Sequence, residues 1–111
     1  MSSYTTGHAA EERAARYLTA QGFRVRELNW RTKFCEIDIV AEKAGRIHFV
    51  EVKYRANSAW GSAMEYITPH KLKRMRFAAG FWLARNRWPG ETQLAVISID
   101  GSTFHLELLD V

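Results

Sequence analysis

The stretch EIDIVAEKAGRIHFVEVKY, residues 36–54, decides the fold. Polar and apolar side chains alternate in its two halves, 36–43 and 46–54, as is typical of β-strands. Ala44-Gly45 between the halves predicts a tight turn, so the two strands should form an antiparallel hairpin. The β-branched residues of both halves favour strands that lie inside a sheet and not at its edge.

The hairpin predicts a cluster of charge. A two-residue turn places Asp38 opposite Glu51 and Glu36 opposite Lys53, with the Cβ atoms of opposite residues about 5 Å apart. Two partly desolvated carboxylates at that distance repel each other by about 4 kcal/mol at an effective dielectric constant of 20. Lys53 can offset part of this repulsion, and a divalent cation such as Mg²⁺ or Mn²⁺ can offset the rest. Alternation also predicts that Ile37 lies in the core on the face opposite Asp38, and that Ile39 shares that face.

The alternative interpretation of these charges is a solvated strand face. Ordinary cross-strand pairs of glutamate and lysine contribute only a few tenths of a kcal/mol each. The spacing alone does not exclude this interpretation, but Ile37, Ile39, Val50 and Val52 favour buried strands, on which a charged face without a role is less expected.

The rest of the chain predicts two helices and three further strands. The helices are expected over 5–21 and 69–86, and the strands over 23–30, 92–100 and 103–109. Thr5 or Thr6 is expected to cap the first helix, and Gly22 to end it. Thr68 followed by proline predicts the start of the second helix. The order α-β-β-β-α-β-β predicts an α/β fold with a central mixed sheet flanked by helices.

The chain length of 111 residues suits a single domain that spans residues 1–111. With 47% hydrophobic and 25% charged residues, the composition is that of a globular protein and not of a disordered one. No apolar run approaches the roughly 20 residues that span a bilayer, and residues 1–10 do not resemble a secretion signal. Cys35 is the single cysteine, which excludes an internal disulfide and fits a reducing cytoplasm.

The positive charge is concentrated in the second helix. The formal net charge is +4 and the pI about 9.5, which favours a polyanionic partner. No acidic residue occurs from residue 66 to residue 90, and six basic residues do: Lys71, Lys73, Arg74, Arg76, Arg85 and Arg87. For any one of them a solubilising surface is the simpler interpretation, but the run as a whole favours contact with a phosphate backbone.

Glu11 shares the inward face of the first helix with Ala14, Ala15 and Leu18, so its carboxylate could approach a metal above the sheet. The alternative is an acid that favours the helix dipole, a contribution of about 0.3 to 1 kcal/mol. Trp60 and Tyr54 could stack on a base or pack in the core. Phe77, Phe81, Trp82 and Trp88 are expected to be core or helix-docking aromatics.

One set of residues and motifs is shared with a known family: Gly7, Glu11, Ala14, Leu18, Gly22, Asn29, Glu36-Ile37-Asp38, Phe49-Val50-Glu51-Val52-Lys53, Arg55, Gly61 and Lys71. In these positions the chain resembles the bacterial YraN family, a family of uncharacterised function, from Gly7 to about Ala79. That family in turn resembles the archaeal Holliday-junction resolvases and the wider PD-(D/E)XK nuclease superfamily. The resemblance implies a restriction-endonuclease-like core.

The resemblance also implies roles for single residues. Asp38 and Glu51 match the two metal-ligating acids of the nuclease motif, and Lys53 matches its lysine. Glu11 falls where the resolvases place an additional glutamate near the metal. Glu36 and Arg55 match positions typical of the YraN family, without an assigned role.

The function implied is a Mg²⁺- or Mn²⁺-dependent endonuclease or phosphodiesterase that acts on DNA, with branched or structured DNA as a candidate substrate. Nucleases of this fold often act as dimers, so a homodimer is a candidate assembly. Two alternatives stay open. One is a non-catalytic nucleic-acid-binding module with a nuclease-like fold. The other is a small protein-interaction domain whose acidic face docks a basic partner.

Overall fold

The computed structural model describes residues 3–56, 66–103 and 105–111, with side chains in the first helix from residue 8 onward. Trp60 and Gly61, which the sequence singles out, therefore lie outside the described residues. The elements follow the predicted order: α1 Ser3–Ala20, β1 Arg24–Arg31, β2 Glu36–Lys43, β3 Arg46–Arg55, α2 Pro69–Asn86, β4 Glu91–Asp100 and β5 Leu106–Asp110. The bounds of β2 are those predicted.

The strands form one mixed sheet in the order β1-β2-β3-β4-β5. β3 and β4 run parallel, and the other neighbours are antiparallel. Parallel neighbours need a long crossover, which here contains α2. The predicted hairpin turn is confirmed: Ala44 and Gly45 have φ angles of 53° and 77°, as a two-residue turn with left-handed residues requires. Lys43 pairs with Arg46 and Ile39 with Val50, in the predicted register.

Among the described residues, each face of the sheet carries one of the helices α1 and α2 and one hydrophobic cluster. The α1 cluster includes these buried residues: Ala14, Leu18, Ile39, Ala41, Val50, Ala95 and Ile97. The α2 cluster includes these: Ile37, Val40, Ile47, Phe49, Ala78, Ala79 and Trp82. Because β2, β3 and β4 are covered on their apolar faces, each contains a run of buried side chains, over residues 39–41, 47–50 and 95–100.

The predicted alternation in β2 is wrong at one point. Ile37 belongs to the α2 cluster and Ile39 to the α1 cluster, so the two side chains lie on opposite faces and do not share one. The pairing of β1 with β2 passes from Leu28–Ile39 to Trp30–Ile37. Asn29, between the two β1 residues, has a φ angle of 54°. A left-handed residue interrupts the alternation of a strand, and this position lies beside Asp38.

The helix ends follow local rules, with one correction. α1 begins at Ser3, so Thr5 and Thr6 lie inside the helix and do not cap it; no glycine or proline precedes them to stop the helix. At the other end of α1, the amide of Gly22 (φ 92°) donates a hydrogen bond to the carbonyl of Thr19, and the amide of Phe23 donates one to the carbonyl of Leu18. These two hydrogen bonds form a Schellman motif.

The start of α2 is as predicted. The Thr68 side chain accepts a hydrogen bond from the Lys71 amide at 3.1 Å, and Pro69 is the first helical residue. The last strand starts later than the predicted residue 103. Asp100 Oδ1 accepts hydrogen bonds from the amides of Ser102 and Thr103, and this holds the chain in a turn before β5. None of the described helices is long and apolar enough to cross a membrane.

Candidate functional site

The β2–β3 ladder opens at the predicted acidic residues. The last pair of the ladder is Ile39–Val50. The hairpin register predicts that Asp38 pairs with Glu51 and Glu36 with Lys53, but neither pair belongs to the ladder. Asp38 Oδ2 instead accepts a hydrogen bond from the backbone N–H of Val52 at 2.8 Å. A side-chain carboxylate thus takes the place of a backbone acceptor and is held between the two strands. The cause is the irregularity of β2 at Asp38, where the strand changes face.

Asp38 lies in an environment that disfavours its charge. Burial raises the pKa of its carboxyl from 3.8 to about 6. The hydrogen bond from Val52 opposes this increase, while the nearby carboxylates of Glu51, Glu11 and Glu36 add to it. The surroundings of Asp38 therefore contain a surplus of negative charge.

Glu11 on α1 is coupled to Asp38. Burial raises its pKa; His8, Arg31 and a hydrogen bond with Asp38 oppose the increase. The structure thus brings Glu11 to Asp38, as the inward face of α1 predicts.

Glu51 has a different environment. Its Oε2 lies 2.8 Å from Lys71 Nζ on α2, and each of the two side chains is 21% exposed. Tyr66 donates a hydrogen bond from its hydroxyl to the same oxygen at 3.1 Å. Burial lowers the pKa of Lys71, but the hydrogen bonds to Glu51 and Tyr66 outweigh it, so the pKa is raised. Glu51 therefore has a cationic partner, which Asp38 lacks in the hydrogen bonds and ion pairs of the described residues.

Lys53 is held next to this group. Its Nζ lies 4.6 Å from the centre of the Tyr66 ring, and Lys71 Nζ lies 5.4 Å from it. Such cation–π contacts contribute about 0.5 to 2 kcal/mol, depending on desolvation. Tyr66 thus links the lysine of β3, the lysine of α2 and the carboxylate of Glu51.

The other predicted site residues lie around this centre. Glu36 is exposed and lies 3.4 Å from Arg31 Nε. Arg55 pairs in the β3–β4 register with Asp100, at the end of the sheet that carries the β4–β5 turn. Three of the predicted phosphate-binding residues of α2 are exposed: Lys73, Arg74 and Arg76.

The carboxylates do not form a complete metal-binding set. In the described ranges, no group of three or more histidine, cysteine, aspartate or glutamate side chains is placed to hold a metal ion. Asp38 is close enough to Glu11 and Glu51 for both to raise its pKa, yet Glu51 is drawn toward α2 by Lys71. A cation shared by Asp38 and Glu51 would have to replace the ammonium of Lys71.

Comparison with known proteins identifies the family. The model of the uncharacterised protein family UPF0102 matches residues 10–99. The chain belongs to this family. A UPF0102 protein of Thermus thermophilus is 39% identical over 103 residues, which cover 93% of this chain and 92% of that protein. One of Agrobacterium fabrum is 43% identical over 88 residues, covering 79% and 70% respectively. One of Alkalilimnicola ehrlichii is 40% identical over 99 residues, covering 89% and 76%.

These matches confirm the membership of the YraN family that the sequence motifs predict. The part that matches the UPF0102 model includes the whole candidate site: Glu11, Glu36, Asp38, Glu51, Lys53, Arg55, Tyr66 and Lys71.

The motifs of the sequence do not indicate the role of Tyr66 or the exposure of two phenylalanines. Tyr66 lies two residues before the cap of α2, and only the packing of α2 on the sheet brings it to Glu51. Phe77, expected in the core or at a helix contact, is 56% exposed, and Phe34 in the β1–β2 connection is 71% exposed. The prediction for Trp82 is confirmed, since it is buried. Phe34 lies between the predicted strands 23–30 and 36–43, and its position in a connection between strands is a signal for its exposure.

Proposed function

We propose that this UPF0102 protein is a Mg²⁺- or Mn²⁺-dependent endonuclease-like phosphodiesterase that acts on DNA, built on a restriction-endonuclease-like core. The observation that carries the proposal is the position of Asp38. Its carboxylate is held where the β2–β3 ladder opens, hydrogen bonded to Val52 and within electrostatic reach of Glu11 and Glu51. A partly buried carboxylate that replaces a backbone acceptor in the sheet is unfavourable unless it has a compensating role.

The donor chemistry fits a hard divalent cation. Carboxylate oxygens are the protein ligands that Mg²⁺ and Mn²⁺ prefer. Burial and, after it, the nearby carboxylates raise the pKa of Asp38 to about 6, and a cation would neutralise the negative charge of these carboxylates. Asp38 and Glu51 would hold the ion, with Glu11 as the third ligand. When bound, it would polarise a phosphate oxygen and lower the pKa of an attacking water.

Lys53 would act directly on the phosphate. The Tyr66 ring holds its ammonium group near Glu51. From there it can donate hydrogen bonds to the attacking water or to a phosphate oxygen, on which negative charge grows in the transition state. Lys73, Arg74 and Arg76 on the exposed side of α2 would bind flanking phosphates and so position the DNA.

Metal titration tests the first step. Isothermal titration of Mn²⁺ into the wild type should show a binding site that Asp38→Ala weakens by more than about 100-fold. Glu11→Ala should weaken binding less, and Glu12→Ala, a change of the exposed neighbour on the same helix, should leave it unaltered. If Mn²⁺ binds the wild type and Asp38→Ala equally, the proposed metal site does not exist.

Cleavage assays test the second step. Duplex, single-stranded, flapped and four-way DNA are incubated with the wild type and with Lys53→Ala in Mg²⁺ and in Mn²⁺. We expect cleavage by the wild type that Lys53→Ala reduces by about 100-fold or more. The wild type and Lys53→Ala should both bind DNA, with an affinity that falls as salt is added.

A non-catalytic nucleic-acid-binding module is the second candidate function. The ion pair between Glu51 and Lys71 favours it, because this contact neutralises one of the two proposed metal ligands. Salt-dependent DNA binding without Mn²⁺ binding and without cleavage would select this function. Absence of DNA binding altogether would reject both candidates and favour a protein-interaction domain.

A further inference from the structure

A cavity of about 320 Å³ lies beside the candidate site, between the β1–β2 connection and the first turns of α2. Its volume is at the lower end of the range of about 300–1,000 Å³ that small-molecule sites occupy. Phe34 and Phe77 line it, and so do Lys73 and Arg74. Glu51 also lines it, so the cavity reaches the proposed catalytic centre.

The two phenylalanines of the cavity are exposed but supported. Phe34 is 71% and Phe77 56% exposed, so much of each apolar ring faces water although its burial would be favourable. Both rings pack against Phe81, with centroid distances of 6.1 Å and 6.2 Å, and Phe81 also contacts Trp30 at 6.2 Å. Aromatic rings that are fixed on one side and open on the other provide stacking surfaces.

The charges at the cavity favour an anion. Lys73 and Arg74 make no ion pair with the described residues, whereas the two acids of the cavity wall are already paired, Glu36 with Arg31 and Glu51 with Lys71. The available charge is therefore positive and lies beside the aromatic rings. A ligand that combines a flat aromatic ring with a phosphate matches both features.

We propose that this cavity binds one unpaired nucleotide of the nucleic acid, whose base stacks on Phe34 or Phe77 while Lys73 and Arg74 contact the adjacent phosphates. The inference rests on the proposed function for its nucleic-acid partner and narrows the substrate to DNA with unpaired bases next to the cleaved bond. In a continuous duplex the faces of the bases are covered by their neighbours, so only an unpaired or displaced base can occupy the cavity.

A second copy of the chain is a less suitable occupant. In a two-fold symmetric interface the same patch lies on both sides. The unpaired Lys73 and Arg74 of each copy would then approach those of the other, and like charges across an interface are unfavourable.

The test is a binding assay without divalent cations, so that cleavage does not contribute. Fluorescence anisotropy is measured with a short labelled single strand, with the matching duplex and with the same duplex carrying a flap. The variants are Phe34→Ala, Phe77→Ala, Phe34→Trp and Lys73→Ala. Leu28→Ala is the matched control, because Leu28 is 48% exposed but does not line the cavity.

We expect the single strand and the flap to bind about tenfold more tightly than the duplex. Phe34→Ala and Phe77→Ala should weaken single-strand binding by about 5- to 100-fold and change duplex binding by less than about twofold. Phe34→Trp should keep the preference, Lys73→Ala should weaken both substrates alike, and Leu28→Ala should change neither. Thermal unfolding of each variant checks that it is folded.

Two results would overturn the inference: equal losses on duplex and single strand in the phenylalanine variants, or no loss on either. Sedimentation that shows a wild-type dimer and a Phe34→Ala monomer, without a preference for unpaired bases, would assign the patch to self-association. The proposed function fails separately. A preference for single strands without any cleavage would support the nucleotide-binding inference and contradict the proposed catalysis. Cleavage of duplex DNA that does not depend on Phe34 and Phe77 would support the catalysis and contradict the inference.

Discussion

The ends of β2 and β3 hold two carboxylates that the sequence presents as a matched pair, yet their surroundings differ. Glu51 on β3 faces α2, where Lys71 and Tyr66 bind its Oε2. Asp38 on β2 accepts a hydrogen bond from the Val52 amide, and Glu11 on α1 is its neighbour. One acid is neutralised by an ammonium group, while the other is surrounded by more acids.

This difference shows where the site lacks positive charge. The α2 side supplies a cation to Glu51, the ammonium group of Lys71. No ion pair among the described residues supplies one to Asp38, whose charged form is disfavoured by burial. A metal ion would therefore be expected to meet Asp38 first, and to reach Glu51 only by displacing Lys71.

The largest expected effect comes from removing the charge of Asp38. Asp38→Asn keeps an acceptor for the Val52 amide but cannot ionise. Because the pKa of Asp38 is raised in the folded protein, from 3.8 to about 6, its stabilising contribution is present below about pH 4 and is lost as the pH rises through about 6. In metal-free buffer the variant should therefore exceed the wild type in free energy of unfolding by about 3 kcal/mol at pH 7, and by little at pH 4.

Urea denaturation of both proteins across this pH range measures the difference. Glu12→Gln, a change of an exposed acid on α1, is the control and should show no such dependence. A constant difference between Asp38→Asn and the wild type at all pH values would mean that Asp38 is not held in a charge-excluding environment.

The second effect comes from removing the cation of the α2 side. Lys71→Met leaves Glu51 partly buried without its ion pair, which should lower the stability of the metal-free protein by about 2 kcal/mol, or the Tm by roughly 10 °C. Lys73→Met removes the same charge from an exposed position of the same helix and should change stability by less than about 0.5 kcal/mol.

The change in Tm on adding Mn²⁺ should distinguish these two variants. Mn²⁺ should raise the Tm of Lys71→Met by more than that of the wild type or of Lys73→Met, because no ammonium group has to leave Glu51. If Lys71→Met and Lys73→Met respond alike with and without Mn²⁺, the contact between Lys71 and Glu51 does not control access to the site.

The parts of this site that the sequence predicts are those set by local rules. The turn at Ala44-Gly45 determines the register of β2 with β3, and Thr68-Pro69 determines where α2 starts. The inward face of α1 likewise brings Glu11 to the sheet. Each of these depends on residues that are neighbours in the chain.

The parts that the sequence does not predict depend on packing between distant segments. The change of face in β2 goes with a left-handed residue on another strand, Asn29. The cation of Glu51 comes from α2, 20 residues later, although Lys53 is closer in sequence. Helical spacing likewise places Phe77 near the apolar stripe of α2, but the extent of the sheet beneath decides that Trp82 is covered and Phe77 is not.

A third, smaller effect concerns the residue at which the strands change face. Asn29 has a φ angle of 54°, which costs an alanine about 1 kcal/mol and a glycine almost nothing. Asn29→Ala should therefore lower the free energy of unfolding by about 1 kcal/mol, and Asn29→Gly should change it by only a few tenths. Denaturant titration of the pair measures this, and equal losses in both would assign the effect to the Asn29 side chain and not to its backbone.

The smallest effect is expected at the exposed ion pair of Arg31 with Glu36. The two atoms are 3.4 Å apart, and the side chains are 59% and 58% exposed. Exposed pairs of this kind contribute about 0.2–1 kcal/mol and are screened by salt, so Arg31→Ala should cost no more than that at low salt and almost nothing at high salt. Denaturation at two salt concentrations measures it. A loss that persists at high salt would show that Arg31 stabilises the β2 end by packing, and not as the cation that Asp38 lacks.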